Sequence, residues 1–337
     1  MSRVGDTLFF ETPVGVETWA AAVGTNEGEG PLGSCFDYVA RENRFGKKTW
    51  EQAESRMVEI ACETALNKAG LTPSRLDCAL GGDLLNQCIS TGYAMRGVGV
   101  PYFGLYGACS TMAESLILGA ALVSGGFAQR TLCLASSHFC SAERQYRYPL
   151  EYGGQRPPSA QWTATASGAG VLHGGPAPVG ITAATAGRIY DPGVTDSANM
   201  GAAMAQSAYE TLRTFFRDSG QQPADFDLIV TGDLAAIGRD IVIELFRRDG
   251  VELDGRYQDC GMLLYDESQD AHAGASGCGC SAAVLCGRLL PDLAAGKLKK
   301  VLFCGTGALM SPTSSNQGES IPGICHAIAI SSSKSSG

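Results

Sequence analysis

Charge is scarce in this sequence. Only 18% of its 337 residues are Asp, Glu, Lys or Arg, and the four histidines are scattered. No two histidines stand at HExxH-type spacing, so no metal site is expected. Basic residues are outnumbered, giving a net charge of −9. A nucleic-acid-binding surface, which shows as a basic excess or stripe, is not expected. The one dense basic cluster, Lys297-Leu298-Lys299-Lys300, reads as a solvated helix end. No apolar run reaches the length of a membrane span, and no signal-peptide-like apolar core follows Met1. The thirteen cysteines lack the paired CxxC spacing of a zinc site. Cys278 and Cys280 stand too close together for an easy disulfide, and a reducing compartment is expected.

What is present is small, apolar and regular. Residues 51–69 have helical periodicity, with Ala53, Met57, Ile60, Ala61, Thr64 and Ala65 on one face. Gly70 stops the helix, and Leu76 to Leu80 reads as a buried strand ending at Gly81-Gly82-Asp83. Before it, Thr7 to Phe10 reads as a short strand and Gly24 to Gly33 as surface loop. The pattern returns downstream. Gly70, Pro73, Asp77, Gly82, Asp83 and Leu84 match Gly220, Pro223, Asp227, Gly232, Asp233 and Leu234 without a gap. Cys109-Ser110 is echoed by Cys280-Ser281, and the strand Thr131 to Ala135 by Val301 to Cys304. Such matches indicate duplication. Two α/β halves with mainly parallel sheets covered by helices are expected, residues 1–174 and 175–337, divided near Gly174 to Gly180. The tail from Ser331 to Gly337 reads as disordered.

The chain is organised around Gly107-Ala108-Cys109-Ser110-Thr111. The apolar run Val98 to Tyr106 leads in, and apolar positions at Met112, Leu116, Ile117, Ala120 and Ala121 predict a helix after it. Cys109 then lies at a helix N-terminus, where unpaired N–H groups stabilise a thiolate or an anionic ligand. Two readings stand: a nucleophilic or ligand-contacting cysteine, and a small buried apolar residue.

Two α/β halves with a cysteine at the strand-to-helix turn of the first resemble the thiolase superfamily, which includes the ketoacyl-acyl-carrier-protein synthases. Longer stretches resemble the stage V sporulation protein AD family. They include Gly82-Asp83-Leu84-Leu85-Asn86-Gln87, Ser136-Ser137-His138, Ala142 to Pro149, Glu151-Tyr152-Gly153-Gly154-Gln155 and Ser276-Gly277-Cys278-Gly279-Cys280-Ser281. That resemblance implies a thiolase-like fold, a homodimer and binding of dipicolinic acid, alone or with calcium. It also implies a part in moving dipicolinate across the spore inner membrane, in sporulation and in germination. The expected partners are the other subunits of the SpoVA membrane channel complex, with membrane association through them alone, and no cofactor.

Condensing enzymes of the superfamily polarise a thioester carbonyl with a histidine pair, or with a histidine and an asparagine. One such group follows the first strand of the second half, where this chain has Thr231-Gly232-Asp233-Leu234. The other follows a glycine turn, where this chain has Cys278. An ionised Asp233 donates nothing to an oxyanion and repels it. The expectation is therefore a binding protein, not an enzyme, since fold alone does not carry function. The alternative is an acyl-CoA or acyl-carrier-protein condensing enzyme with Cys109 as nucleophile. His272 is the candidate to restore catalysis. A flat dicarboxylate needs N–H and hydroxyl donors, a cation and an apolar wall. The expected ligand set is Cys109, Ser110, Asp83, Ser136, Ser137, His138, Arg144, Asp233, His272 and Ser276. Arg147 is a second cationic candidate, with Tyr146 and Tyr148 as ring neighbours. Helix capping is the alternative for Asp83 and Asp233, and an interface loop the alternative for 143–149.

Overall fold

The computed structural model describes residues 1–147 and 155–334. Tyr148, Pro149, the 151–154 stretch and residues 335–337 lie outside the described residues. The strands are β1 (Ser2–Val4), β2 (Thr7–Val23), β3 (Tyr38–Val39), β4 (Cys78–Gly82), β5 (Tyr102–Gly104), β6 (Arg130–Ser137), β7 (Trp162–Thr163), β8 (Ala166–His173), β9 (Val179–Thr185), β10 (Leu228–Thr231), β11 (Tyr257–Asp259), β12 (Ala275–Ser276), β13 (Lys300–Ala308) and β14 (Gly323–Ser332).

The main sheet runs β11-β10-β13-β14-β9-β2-β8-β6-β4-β5. The order is symmetric about the β9–β2 pair: each half has two antiparallel pairs next to the centre and two parallel pairs outside them. Parallel pairing, expected to prevail, is confined to the outer strands, while β6–β8 and β13–β14 run antiparallel next to the centre.

Two apolar helical stretches, Thr111–Ser124 and Cys278–Ala295, are almost wholly buried and pack on strands of both halves. Cys278–Ala295 is long and apolar enough to cross a membrane by length and composition, yet 78% of it is buried inside the protein. Trp50–Lys68 and Met200–Ser219 cover the outer faces. The alternating helix and sheet layers follow from the sequence. Helices apolar all round belong inside and one-sided ones outside.

Several expected boundaries move. Thr7 to Phe10 is only the start of β2, which continues to Val23. The ladder is irregular between Phe9 and Val14, so a bulge absorbs Pro13. Gly24 to Gly33 holds a short helix, Thr25–Glu29, and Glu27 is buried, accepting from Thr165 N at 2.9 Å and from the Tyr265 hydroxyl. Val98 ends a helix, Ile89–Val98, before the short β5 begins. Ser331 and Ser332 extend β14.

Glu54 lies on the buried face of Trp50–Lys68 and accepts hydroxyls from Ser90, Ser136 and Ser141 at 3.0–3.2 Å. Burial, and then the charge of Asp83, push its carboxyl up. Asp259 ends β11 and accepts from Thr231 Oγ1, Leu234 N, Ala235 N and Gly261 N at 2.6–2.9 Å, fixing the turn that follows β10. Burial pushes it up to about 7. A carboxyl raised above its unfolded value of about 4 is stabilising in full below that value, and its contribution fades as pH climbs through the folded one. The thermal midpoint should therefore fall between about pH 5 and pH 8, and Glu54→Gln should flatten that fall. An identical slope for the variant, measured by circular dichroism melts, would contradict the assignment.

Candidate functional site

The centre of the molecule holds a strained turn. Ala108 has φ 51°, in the left-handed region that costs a non-glycine residue strain. Cys109 follows within a single 3-10 turn, and the helix Thr111–Ser124 starts directly after. The turn is pressed against β13. A Cβ on Gly307 would stand 2.8 Å from Gly107 O, and one on Gly305 would stand 2.6 Å from Ala113 Cβ. Those two glycines in an otherwise apolar strand let the two halves of the chain meet at the cysteine.

Asp233, just past β10, is fully buried and reaches the sulfur. Thr306 Oγ1 donates to it at 2.7 Å, Gly277 N at 2.9 Å and Ser276 Oγ at 3.3 Å, and its charge acts on the Cys109 thiol. These three donors suit a carboxylate, while burial pushes the Asp233 carboxyl above its ordinary value. Burial, and next the Asp233 charge, push the Cys109 thiol well up. The thiolate expected from the helix N-terminus is therefore not favoured: desolvation and a carboxylate at contact outweigh the helix end.

A cavity of about 290 Å³ opens over the sulfur. Cys109 and Ser276 form its floor, with Tyr106, Tyr146, Asn86, Arg147, Thr163 and the segment 308–312 around it. Tyr146 donates to Leu84 O, and its hydroxyl meets that of Tyr106 at 3.0 Å. Arg147 is paired with Glu143 on the same helix.

Of the expected ligand set, the fold brings together Cys109, Asp233 and Ser276. The others serve local structure. Ser110 Oγ closes its own turn on Gly107 O at 2.7 Å. Asp83 caps the chain after β4, accepting from Leu85 N at 2.9 Å and from Thr91 N and Oγ1 at 2.7 Å. Ser136 donates to Glu54. Ser137 donates to Ala164 O at 2.7 Å and accepts from Gly279 N at 3.1 Å. Arg144 pairs with Glu51 on an exposed face away from the sulfur. His138 caps the helix Phe139–Tyr146 through Nδ1, and its Nε2 meets Asn43 O at 2.8 Å; burial lowers it to about 4, so it is neutral. His272 does not face Cys109: its Nδ1 meets Pro157 O at 2.8 Å and its Nε2 meets Asp270 at 3.0 Å. His173 lies beside Glu17, and His326 Nδ1 accepts from Gly187 N at 3.1 Å. No histidine lines the cavity among the described residues. Cys278 also turns away, with its sulfur 2.8 Å from Ser136 O.

The stage V sporulation protein AD family model matches residues 5–331. The Stage V sporulation protein AD of Bacillus subtilis (strain 168) is 44% identical over 324 residues, covering 96% of each chain. The chain belongs to the stage V sporulation protein AD family. Its scaffold is thiolase-like. The 3-oxoacyl-[acyl-carrier-protein] synthase III of Aquifex aeolicus superposes with a TM-score of 0.59 at 15% identity, covering 94% of this chain and 99% of that one. OleA of Xanthomonas campestris, solved with lauric acid and lauroyl-CoA, gives 0.62 at 13% identity, over 96% and 99%. At those identities the likeness concerns the fold alone.

Asn86, Tyr106, Thr163, Met200 and the 308–312 segment were not anticipated as cavity walls. They arrive from separate segments, with no local signature. Arg147, not Arg144, lines the cavity: the helix ends at Tyr146, and Arg147 leaves it with φ −125° and ψ −94°, so helical spacing no longer relates the two side chains.

Cys109 should resist iodoacetamide at neutral pH and react only well above the ordinary cysteine range of about 8.5. Asp233→Asn should move that reactivity to lower pH, read by peptide mass spectrometry. Neutral-pH labelling at the rate of a free thiol, or no change in the variant, would contradict the pairing.

Proposed function

We propose that this member of the family is a non-catalytic receptor for dipicolinate on a thiolase-like scaffold. The reading rests on one observation: the cysteine faces a carboxylate where condensing chemistry needs donors. An acyl thioester on Cys109 would set its developing oxyanion near the Asp233 charge. One missing oxyanion donor typically costs about 2.7–4 kcal/mol of transition-state stabilisation, and the carboxylate, where ionised, adds repulsion.

The same cavity suits a compact anion with a flat ring. At about 290 Å³ it is at the lower end of small-molecule sites, about 300–1,000 Å³. Arg147 supplies a cation for one carboxylate, the Ser276 and Thr163 hydroxyls supply donors, and Tyr106, Tyr146 and Met310 supply flat and apolar walls. Calcium, where it accompanies dipicolinate, would come with the ligand.

In this reading the protein serves dipicolinate movement across the spore inner membrane in sporulation and in germination. It sits at that membrane through the other subunits of the SpoVA channel complex. It pairs with a second copy through the free edge of β5, where Phe103 and Tyr106 are more than half exposed at the end of the sheet.

Calorimetric titration should give saturable dipicolinate binding. Arg147→Met should weaken it roughly tenfold or more, as expected for loss of a charge-assisted hydrogen bond, and Cys109→Ala should weaken it less. Light scattering of the same samples should give a dimer mass that Phe103→Asp lowers to a monomer. Absence of saturation at millimolar ligand, or an affinity indifferent to Arg147, would sink the reading.

A further inference from the structure

A second cavity, of about 600 Å³, lies outside the first and shares Tyr146, Arg147, Met310 and Pro312 with it. Two of its polar side chains carry atoms that the protein leaves unpaired.

The first is Arg156. Its guanidinium stacks over the Trp162 ring, 4.6 Å from the centroid, and Nη2 donates to Asp270 O at 2.5 Å. Its ion-pair partner among the described residues, Asp270 at 3.7 Å, is 80% exposed, so that charge is largely answered by solvent; the Glu143 charge acts on it as well. Nη1 is buried and has no acceptor among the described residues. The second is Gln161, only 4% exposed. Its Nε2 donates to Asp233 O at 2.6 Å and to Ala275 O at 3.1 Å. Two carbonyls at one end of the amide fix that end as the NH₂, so the free end is the acceptor Oε1. Oε1 is buried and has no donor among the described residues.

Leaving a buried donor and a buried acceptor unpaired is costly, and native proteins rarely do it without a reason. Here the pair borders a cavity of ordinary small-molecule size, beside the apolar ring of Phe139, itself stacked on Trp162 with centroids 3.9 Å apart. The unpaired donor sits on a permanent cation and asks for an anionic oxygen. The unpaired acceptor asks for a hydroxyl or an amine.

We infer that the outer cavity is a binding site for a small 2-hydroxy or 2-amino carboxylate with an apolar group, its carboxylate on Arg156 Nη1 and its donor on Gln161 Oε1. The site goes beyond the dipicolinate reading and does not depend on it: neither arginine of the one is needed by the other, and dipicolinate at neutral pH carries no donor for Gln161. Because Gln161 also holds the Asp233 backbone, occupancy of the outer site bears on the floor of the inner one.

The test uses mandelate and phenylacetate, which differ by one hydroxyl, with Trp162 fluorescence and calorimetry on the full chain. Mandelate should saturate a single site and perturb Trp162 emission, and phenylacetate should bind several-fold more weakly. Arg156→Gln should weaken mandelate roughly tenfold, while Arg156→Lys, which keeps the charge, should weaken it less. Thermal melts of both variants check folding, and a dipicolinate titration of Arg156→Gln reports the inner site separately. Equal binding of the two probes, or mandelate binding indifferent to Arg156→Gln in a folded variant, would overturn the inference. Loss of dipicolinate binding in the wild-type protein would instead bear on the inner cavity alone.

Discussion

The contact between the Cys109 thiol and the Asp233 carboxylate decides what this scaffold can do. Asp233 is fully buried and Cys109 nearly so, and three donors hold the carboxylate in place. Burial and the neighbouring charge both favour the protonated sulfur, so the usual advantage of a helix N-terminus is cancelled. An enzyme site of this kind needs a thiolate and an electropositive hole. Here burial and the Asp233 charge favour the thiol, and no histidine lines the cavity among the described residues. What survives is shape: a small cavity with one arginine and a few hydroxyls on its walls.

The architecture explains why the contact forms. The sheet is nearly symmetric about the β9–β2 pair, and each half delivers its post-strand turn to the middle. Asp83 and Asp233 end equivalent strands, yet they end up with different work. Asp83 is consumed by the backbone and hydroxyl of Thr91 and the backbone of Leu85. Asp233 is released for the sulfur because Asp259 already holds the turn after β10, through Leu234 N and Ala235 N. Duplication supplied two carboxylates, and the extra one on β11 freed one of them.

Much of this could be read in the sequence. The helix over Trp50–Lys68, the strands β4, β6, β10 and β13, and the duplication all follow from periodicity and from the gapless Gly70 and Gly220 matches. Cys109 was legible from its turn, and Asp233 through the resemblance, since it stands where condensing enzymes carry a polarising group, with helix capping as the alternative. Cys278 was not: spacing put it near the sulfur, but Gly277 at φ 98° turns the chain so that Ser276 faces the cavity and Cys278 faces Ser136 O. Ser136, Ser137 and His138 look like a polar cluster at a strand end, and in three dimensions they tie helices and loops together behind the wall. Glu54 carried a signal that periodicity offers, an acid among Ala53, Met57 and Val58 on the apolar face. The cavity walls at Asn86, Thr163 and 308–312 carried none, since they meet only through tertiary packing.

The central claim is that Cys109 is not an acyl acceptor. Incubating the protein with acetyl-CoA and malonyl-CoA, and with long-chain acyl-CoA, then measuring intact mass and the Cys109 peptide, tests it directly. The account predicts an unmodified Cys109 and no released CoA, while Asp233→His offers the sulfur the donor it lacks and should allow measurable acylation. An acyl adduct on Cys109 of the wild-type chain that forms and turns over would contradict it.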